Sequence, residues 1–190
     1  MAVVIRQASL DDVQAIARVH VDSWRTTYCG LLPDEHLVRL TYEGRERLWT
    51  EAIGTPREGS FVLVATFADS GDAGKMAGTP PVVGFVSAGP ELSGHPSYRG
   101  EVYAIYLRDD CHGRGIGRRL MNAAAERLAA AGLDSLLVWV LRDNPSRHFY
   151  AALGGVEVTT KLVIQGEVMF DEVAYGWPDA RHLYKAKSTR

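Results

Sequence analysis

The sequence lacks the features that mark several large classes of protein. It has only two cysteines, Cys29 and Cys111, and six dispersed histidines, so neither a disulfide framework nor a metal site is expected. No apolar run approaches the roughly 20 residues that span a bilayer. The first residues show no basic region followed by an apolar signal core. We therefore expect a cytoplasmic protein with no metal and no membrane partner.

An excess of charge of one sign is also absent. The 21 Lys and Arg residues are scattered and nearly balance 23 Asp and Glu residues, which gives a formal net charge of −2. This balance gives no reason to expect a nucleic-acid partner. A length of 190 residues and an apolar content of 46% suit one domain with a substantial core. We expect that domain over residues 1–177, followed by a loose polar tail over 178–190.

Hydrophobic periodicity predicts a mixed α/β order of strand, two helices, three strands, helix, strand, helix and two strands. Helices are expected from Ser9 to about Ser23, from Pro33 to about Trp49, from the glycine-rich turn to Gly132, and from Asn144 to Leu153. Residues 68–81 and the pair Gln165-Gly166 are expected to be hairpin turns. The predicted strands are Val3–Ile5, Ser60–Phe67, Val82–Ala88, Glu101–Leu107, Leu136–Leu141, Val156–Ile164 and Val168–Trp177.

A glycine-rich turn stands between an apolar strand and an amphipathic helix. Glycines alternate at Gly113, Gly115 and Gly117, and apolar residues then recur at helical spacing from Ile116 to Leu128. The free N–H groups of a helix's first turn suit a phosphate, and glycines let its oxygens approach the backbone. Nearby arginines add positive charge. The stretch predicts a pyrophosphate-binding loop.

Two familiar phosphate motifs do not fit this loop. A dinucleotide fingerprint would need a third glycine where Arg118 stands, and a Walker A loop would need Lys-Ser/Thr after Gly117. The loop instead resembles motif A of the GCN5-related N-acetyltransferases (GNAT), Gln/Arg-x-x-Gly-x-Gly/Ala. His112 stands where that family usually has Gln or Arg. The motif lies on His112, Gly113, Arg114, Gly115, Ile116 and Gly117, and Arg118 follows it.

The resemblance covers the chain from Val3 to Trp177 and implies the GNAT fold. That fold has a mixed, mostly antiparallel seven-stranded sheet, which splays open between its fourth and fifth strands, and about four helices. The pantetheine arm of acetyl-CoA lies in the gap. In relatives it is contacted by the backbone at the positions of Ile105, Tyr106 and Leu107 here.

The resemblance also implies catalytic groups. Glu101 opens the strand before motif A and corresponds to the catalytic base of histone-type members, although a plain strand-end carboxylate is the alternative. Asn144 and Tyr150 lie in a segment like motif B. Tyr150 is expected to bind the cofactor and to protonate the leaving thiolate, but it could also be a core aromatic. Asn144 is expected to contact the cofactor, or to be an ordinary helix cap.

The acceptor is the part on which the sequence is least informative. Trp24 and Tyr28 fall where relatives close over the acceptor, and Tyr175 lies on a last strand like that of small-molecule enzymes; packing is an equal alternative for the first two. We expect transfer from acetyl-CoA to a small-molecule primary amine in a ternary complex. A protein or peptide N-acetyltransferase and a non-catalytic acetyl-CoA sensor remain alternatives. A homodimer is plausible on family habit alone.

Overall fold

The computed structural model describes residues 2–68, 81–165 and 168–185. Over this part of the chain it contains seven strands and six α-helices. The strands are β1 Val3–Gln7, β2 Phe61–Phe67, β3 Val82–Pro90, β4 Gly100–Leu107, β5 Leu136–Leu141, β6 Val156–Gln165 and β7 Val168–Trp177. The helices are α1 Val13–Thr27, α2 Asp34–Val38, α3 Tyr42–Gly54, α4 Ile116–Ala130, α5 Arg147–Ala152 and α6 Arg181–Tyr184.

All seven strands belong to one mixed sheet in the order β1-β2-β3-β4-β5-β7-β6. β4 pairs with β5 in parallel, whereas the pairs β1–β2, β5–β7 and β6–β7 are antiparallel. The register of β4 and β5 covers three residue pairs, from Gly100 opposite Leu136 to Val102 opposite Val138. The predicted sheet is confirmed, and this short register accords with the predicted opening between its fourth and fifth strands.

The chain divides into two compact units. Unit 1 comprises Met1–Ser87 and Ala104–Leu120, and unit 2 comprises Ala88–Tyr103 and Met121–Arg190. In unit 1 the apolar stripe of α1 packs with α3 and with β2 and β3. Its buried core residues include Val13, Ile16, Ala17, Trp49, Val62, Val64 and Phe85. Removal of these side chains from water is the main stabilising contribution to this unit.

Unit 2 has its own core on β5 and β7. Tyr98, Leu137 and Ala174 are buried together, and Trp139 and Val158 pack against them. Gly176 on β7 lies so close to the Tyr98 ring that a Cβ there would collide with it. A side chain at that position would have to displace the ring.

The junction between β1 and α1 is fixed by a reciprocal polar cluster. Asp12 is 1% exposed, and its carboxylate accepts two bonds of 2.7 Å from Arg6 and one of 2.8 Å from the Ser9 N–H. Burial alone would raise the pKa of Asp12, but the bonds from Arg6 and Ser9 outweigh it, so the pKa of Asp12 is lowered. Ser9 is the N-cap of the short 3-10 helix at Leu10–Asp12, which precedes α1, and forms a capping box with Asp12.

We expect Asp12→Ala to lower the free energy of unfolding by about 2 kcal/mol, because the Arg6 guanidinium and the Ser9 N–H lose a charged acceptor. Since the folded-state pKa of Asp12 is depressed, its contribution is complete above the unfolded pKa of about 3.9. It is lost as the pH falls through the folded value. Urea unfolding at pH 7 and at pH 3 measures both effects. An equal loss at the two pH values would contradict this account.

Two helical regions differ from the sequence-based prediction. The long second helix is divided, because Thr41 caps a new helix by accepting a 3.1 Å bond from the Gly44 N–H. The division lies before Tyr42, and Gly44 belongs to the first turn of α3. Residues 181–184 of the predicted loose tail form α6, with Ala180 and Leu183 buried.

Two predicted hairpin turns lie outside the described residues. The turn after Ala68 falls largely on residues 69–80, and the closing turn falls on residues 166–167.

Candidate active site

The predicted pyrophosphate loop joins β4 to α4. Gly113 and Gly115 have φ of 71° and 73°, the left-handed region that L side chains rarely adopt. A Cβ at either position would meet nothing within 4 Å, so the backbone faces open space. The first bond of the α4 ladder runs from the Arg119 N–H to the Gly115 carbonyl at 3.1 Å. The three N–H groups from Ile116 to Arg118 precede that ladder and suit the oxygens of a diphosphate.

The loop has one buried apolar side chain, that of Ile116, and several exposed arginine side chains. Ile116 is 1% exposed, so only its backbone can meet a cofactor. Arg114 and Arg118 are exposed beside the glycines. Arg119 instead donates a 2.7 Å bond to the Val3 carbonyl and ties α4 to β1. The positive charge available at the loop therefore comes from Arg114 and Arg118.

His112 turns back toward the end of β4. Its Nε2 lies 3.1 Å from the Leu107 carbonyl oxygen, which also accepts a 3.1 Å bond from the Ser23 hydroxyl. The Leu107 carbonyl is thus occupied from two sides. The side chain of His112 holds the loop to the strand, and the cofactor contact predicted for it remains a prediction.

An aromatic cluster lies in unit 1, around Tyr106 near the end of β4. The Trp24 indole donates a 2.7 Å bond to the Tyr106 hydroxyl, and the Trp24 and Tyr28 rings lie 4.6 Å apart. His20 stacks on Tyr106 at 4.8 Å and accepts a 3.1 Å bond from the Trp49 indole. Burial, together with the charge of Arg45, lowers the pKa of His20 to about 3, so its imidazole is neutral.

Glu101 lies in unit 2 near the start of β4. A Cβ at the preceding Gly100 would lie 3.2 Å from Leu128 of α4, so Glu101 points to the opposite face of the strand. Its Oε2 accepts a 2.9 Å bond from the Leu92 N–H. Burial raises the pKa of Glu101; the Leu92 bond opposes that change, and the charge of Glu91 adds to it. A carboxylate in this state is a stronger base than an exposed glutamate.

The predicted motif B residues and Tyr175 also lie in unit 2. Asn144 is 3% exposed, and its Oδ1 accepts a 2.8 Å bond from the Ser146 N–H, so it forms the turn that leads into α5. Tyr150 is 6% exposed within α5, and its ring centroid lies 6.1 Å from that of Tyr175 on β7. The structure thus brings two of the predicted site residues together.

Known proteins are similar to this chain in both sequence and fold. The sequence model of the FR47-like protein family matches residues 93–164. An uncharacterized N-acetyltransferase of Bacillus subtilis (strain 168), YuaI, is 38% identical over 181 residues, which are 95% of this chain and 96% of that protein. The chain belongs to the GCN5-related N-acetyltransferase family.

Two further comparisons extend this result. The L-methionine sulfoximine/L-methionine sulfone acetyltransferase of Pseudomonas paraeruginosa is 30% identical over 88% of this chain and 87% of that protein. The structure of PaiA N-acetyltransferase from Thermoplasma acidophilum, solved with coenzyme A, covers 93% of this chain and all of that one, with a TM-score of 0.63 and 19% identity. The predicted family, fold and acetyl-CoA-dependent N-acetyltransferase activity are confirmed.

Cys111 of this GNAT enzyme is poorly suited to a covalent role. Cys111 is 2% exposed, and burial and the neighbouring Asp110 raise the pKa of its thiol, which therefore forms little thiolate at neutral pH. Cys29 is exposed and lies just after α1. Among the described residues, no group of three or more His, Cys, Asp or Glu side chains could hold a metal ion. Among the same residues, no helix combines the length and apolarity needed to cross a bilayer.

Sequence reasoning missed two residues that lie near predicted site residues, Glu91 and Arg45. The Glu91 carboxylate accepts bonds from the Ser93, Gly94 and His95 N–H groups and shapes the loop that leads into β4. Arg45 of α3 lies with its Cζ 5.8 Å from the centroid of the Trp24 ring. A signal for Arg45 existed, since it stands one helical turn before the buried Trp49 and so on the inward face of α3.

Proposed function

We propose that this enzyme transfers the acetyl group of acetyl-CoA to the primary amine of a small molecule by direct attack in a ternary complex. The observation that best supports this proposal is the environment of Glu101. Its carboxylate is partly buried and has a raised pKa, and it lies on the strand that leads into the predicted diphosphate loop. The similarity to an enzyme named for two small amino-acid derivatives supports a small acceptor. The buried, weakly acidic Cys111 favours direct transfer over an acetylated cysteine.

Each step has a candidate group. The loop amides from Gly113 to Arg118 hold the diphosphate, and the β4 backbone at Ile105 and Tyr106 holds the pantetheine arm. Glu101, directly or through a water, accepts a proton from the ammonium form or from the attacking nitrogen as the C–N bond forms. Tyr150 gives its proton to the sulfur as the C–S bond breaks, and the products are the acetamide and CoA thiol. A main-chain N–H of β4 polarises the thioester carbonyl.

The need for a base follows from the pKa of the acceptor. An alkylamine with a pKa near 10.4 is unprotonated in only about one molecule in 2,500 at pH 7, a handicap of about 4.6 kcal/mol. Positioning of the reactants can offset up to roughly 7–11 kcal/mol of the barrier. Glu101 therefore offsets the cost of deprotonating the amine, whereas the residues that bind acetyl-CoA and the acceptor position the two reactants.

A thiol-release assay with a panel of amines tests the proposal. We expect turnover with small primary amines and none with lysine-containing peptides or free peptide N-termini. Turnover confined to peptides would favour a protein N-acetyltransferase. Binding of acetyl-CoA without turnover of any amine would favour a sensor. Either outcome would reject the proposal.

We expect Tyr150→Phe to retain acetyl-CoA affinity but to lower kcat at least tenfold. The phenol is the proposed donor to a thiolate whose conjugate acid has a pKa near 8.5, and general acids typically contribute about 10²-fold or more. Tyr184→Phe on α6 serves as the matched control, with activity like that of the unmodified enzyme. Calorimetry with CoA separates binding from turnover, and full activity of Tyr150→Phe would exclude the acid role.

A further inference from the structure

Arg45 occupies an unusual electrostatic position in unit 1. It lies in the first turns of α3, and its guanidinium approaches the face of Trp24. The Nε atom is buried and has no hydrogen-bond partner among the residues that the structure describes. Burial lowers the pKa of the Arg45 guanidinium, and the Tyr106 side chain opposes that change. A buried donor left without an acceptor is rare in folded proteins and needs an explanation.

No carboxylate compensates this charge within the described part of the chain, where none of the ion pairs includes Arg45. On α1, the nearby helix, Asp22 accepts a 2.6 Å bond from the Tyr42 hydroxyl. Arg45 is also close to the N-terminus of α3, where the helix dipole adds positive potential. The Arg45 side chain as a whole is half-buried, and a half-buried charge without an ionic partner favours the binding of an anion.

The anion would lie among the residues already predicted to meet the acceptor. Trp24 contacts Arg45 through its ring and Tyr106 through its indole N–H. Tyr106 belongs to β4, whose backbone is the candidate support for the pantetheine arm. An acceptor packed against Trp24 and Tyr106 therefore has the Arg45 guanidinium beside it.

We propose that Arg45 binds a carboxylate on the acceptor, so that the enzyme acetylates amines that also carry a carboxylate, as α-amino acids do. This proposal rests on the small-molecule function proposed above. A guanidinium presents parallel N–H groups that match the two oxygens of a carboxylate. The rings of Trp24 and Tyr28 would pack against the apolar part of the same molecule.

Pairs of acceptors that differ only in the carboxylate test this proposal. Suitable pairs are phenylalanine and phenethylamine, leucine and isoamylamine, and lysine and cadaverine. We expect kcat/KM to be at least about tenfold higher for the better amino acids than for their decarboxylated partners. Arg45→Gln should raise KM for the amino acid about tenfold or more, and should leave KM for acetyl-CoA and for the decarboxylated amine unchanged.

The control is Arg47→Gln, which removes the same charge from an exposed position of the same helix and should behave like the unmodified enzyme. Arg45→Lys keeps the charge but not the paired donors, so it should recover only part of the lost affinity. Because Arg45→Gln removes an unpaired charge, its Tm should not fall. Amino acids should raise the Tm of the unmodified enzyme and not that of Arg45→Gln.

Three results would overturn the proposal. If the enzyme acetylates amines but prefers the decarboxylated partners, the assignment of Arg45 fails while the small-molecule function stands. If Arg45→Gln lowers kcat/KM equally for both members of a pair, Arg45 has only a structural role. If no small amine is acetylated although acetyl-CoA binds, the proposed function fails and the assignment of Arg45 fails with it.

Discussion

Replacing Gly115 by Asp is expected to weaken CoA binding by about 100-fold, equivalent to about 2.7 kcal/mol. Gly115 has φ of 73° at the head of α4, and a Cβ there would project into open space. An Asp side chain would place a negative charge where the diphosphate is expected and would block its approach to the backbone. Calorimetry with CoA measures the loss directly.

Two variants separate this effect from backbone strain. A non-glycine residue in this conformation costs about 1–3 kcal/mol of stability whatever its charge. Gly132→Asp carries a similar strain, with φ of 79° and open space around its Cβ, but it follows the other end of α4. It should lose stability and keep CoA affinity. Gly115→Asn should bind CoA better than Gly115→Asp, and wild-type affinity in Gly115→Asp would contradict the location of the diphosphate site.

The sequence allowed the glycine-rich turn between β4 and α4 to be placed because its signal is local. The alternating glycines, the apolar strand before them and the helical spacing after them all act over about twenty neighbouring residues. The same reasoning placed β5 within its observed bounds, since six consecutive apolar residues suit a strand covered on both faces. The division of the second helix was missed because Thr41 was not recognised as a cap.

The environment of Arg45 could not be predicted in this way. Arg45 of α3 lies against the Trp24 ring of α1 and interacts electrostatically with His20 of α1 and Tyr106 of β4, which are far apart in sequence. The orientation of His112 toward the Leu107 carbonyl likewise depends on the folded loop. The sequence motifs indicated which segments could form the active site. Which charged side chains are left without a partner is determined only by tertiary packing.

Glu101→Gln is expected to lower kcat about 100-fold at neutral pH, in the range of general-base catalysis. A base acts only when deprotonated, so kcat/KM of the unmodified enzyme should fall as the pH drops below the pKa of Glu101. Burial raises that pKa, and the Glu91 charge adds to the rise. The fall of kcat/KM at acidic pH should therefore be centred above about pH 4.3, the pKa of an ordinary glutamate. Glu101→Gln should not show this fall.

Stability gives an independent check on the same residue. Because the folded-state pKa of Glu101 is raised, folding favours its protonated form; this contribution is complete below the unfolded pKa and is lost as the pH rises through the folded value. Gln mimics the protonated form, so Glu101→Gln should be at least as stable as the unmodified enzyme at pH 7. Glu126→Gln, at an exposed position of α4, should change neither activity nor stability. An unaltered pH profile in Glu101→Gln would exclude Glu101 as the base, and a large loss of Tm would show that the carboxylate supports the fold instead.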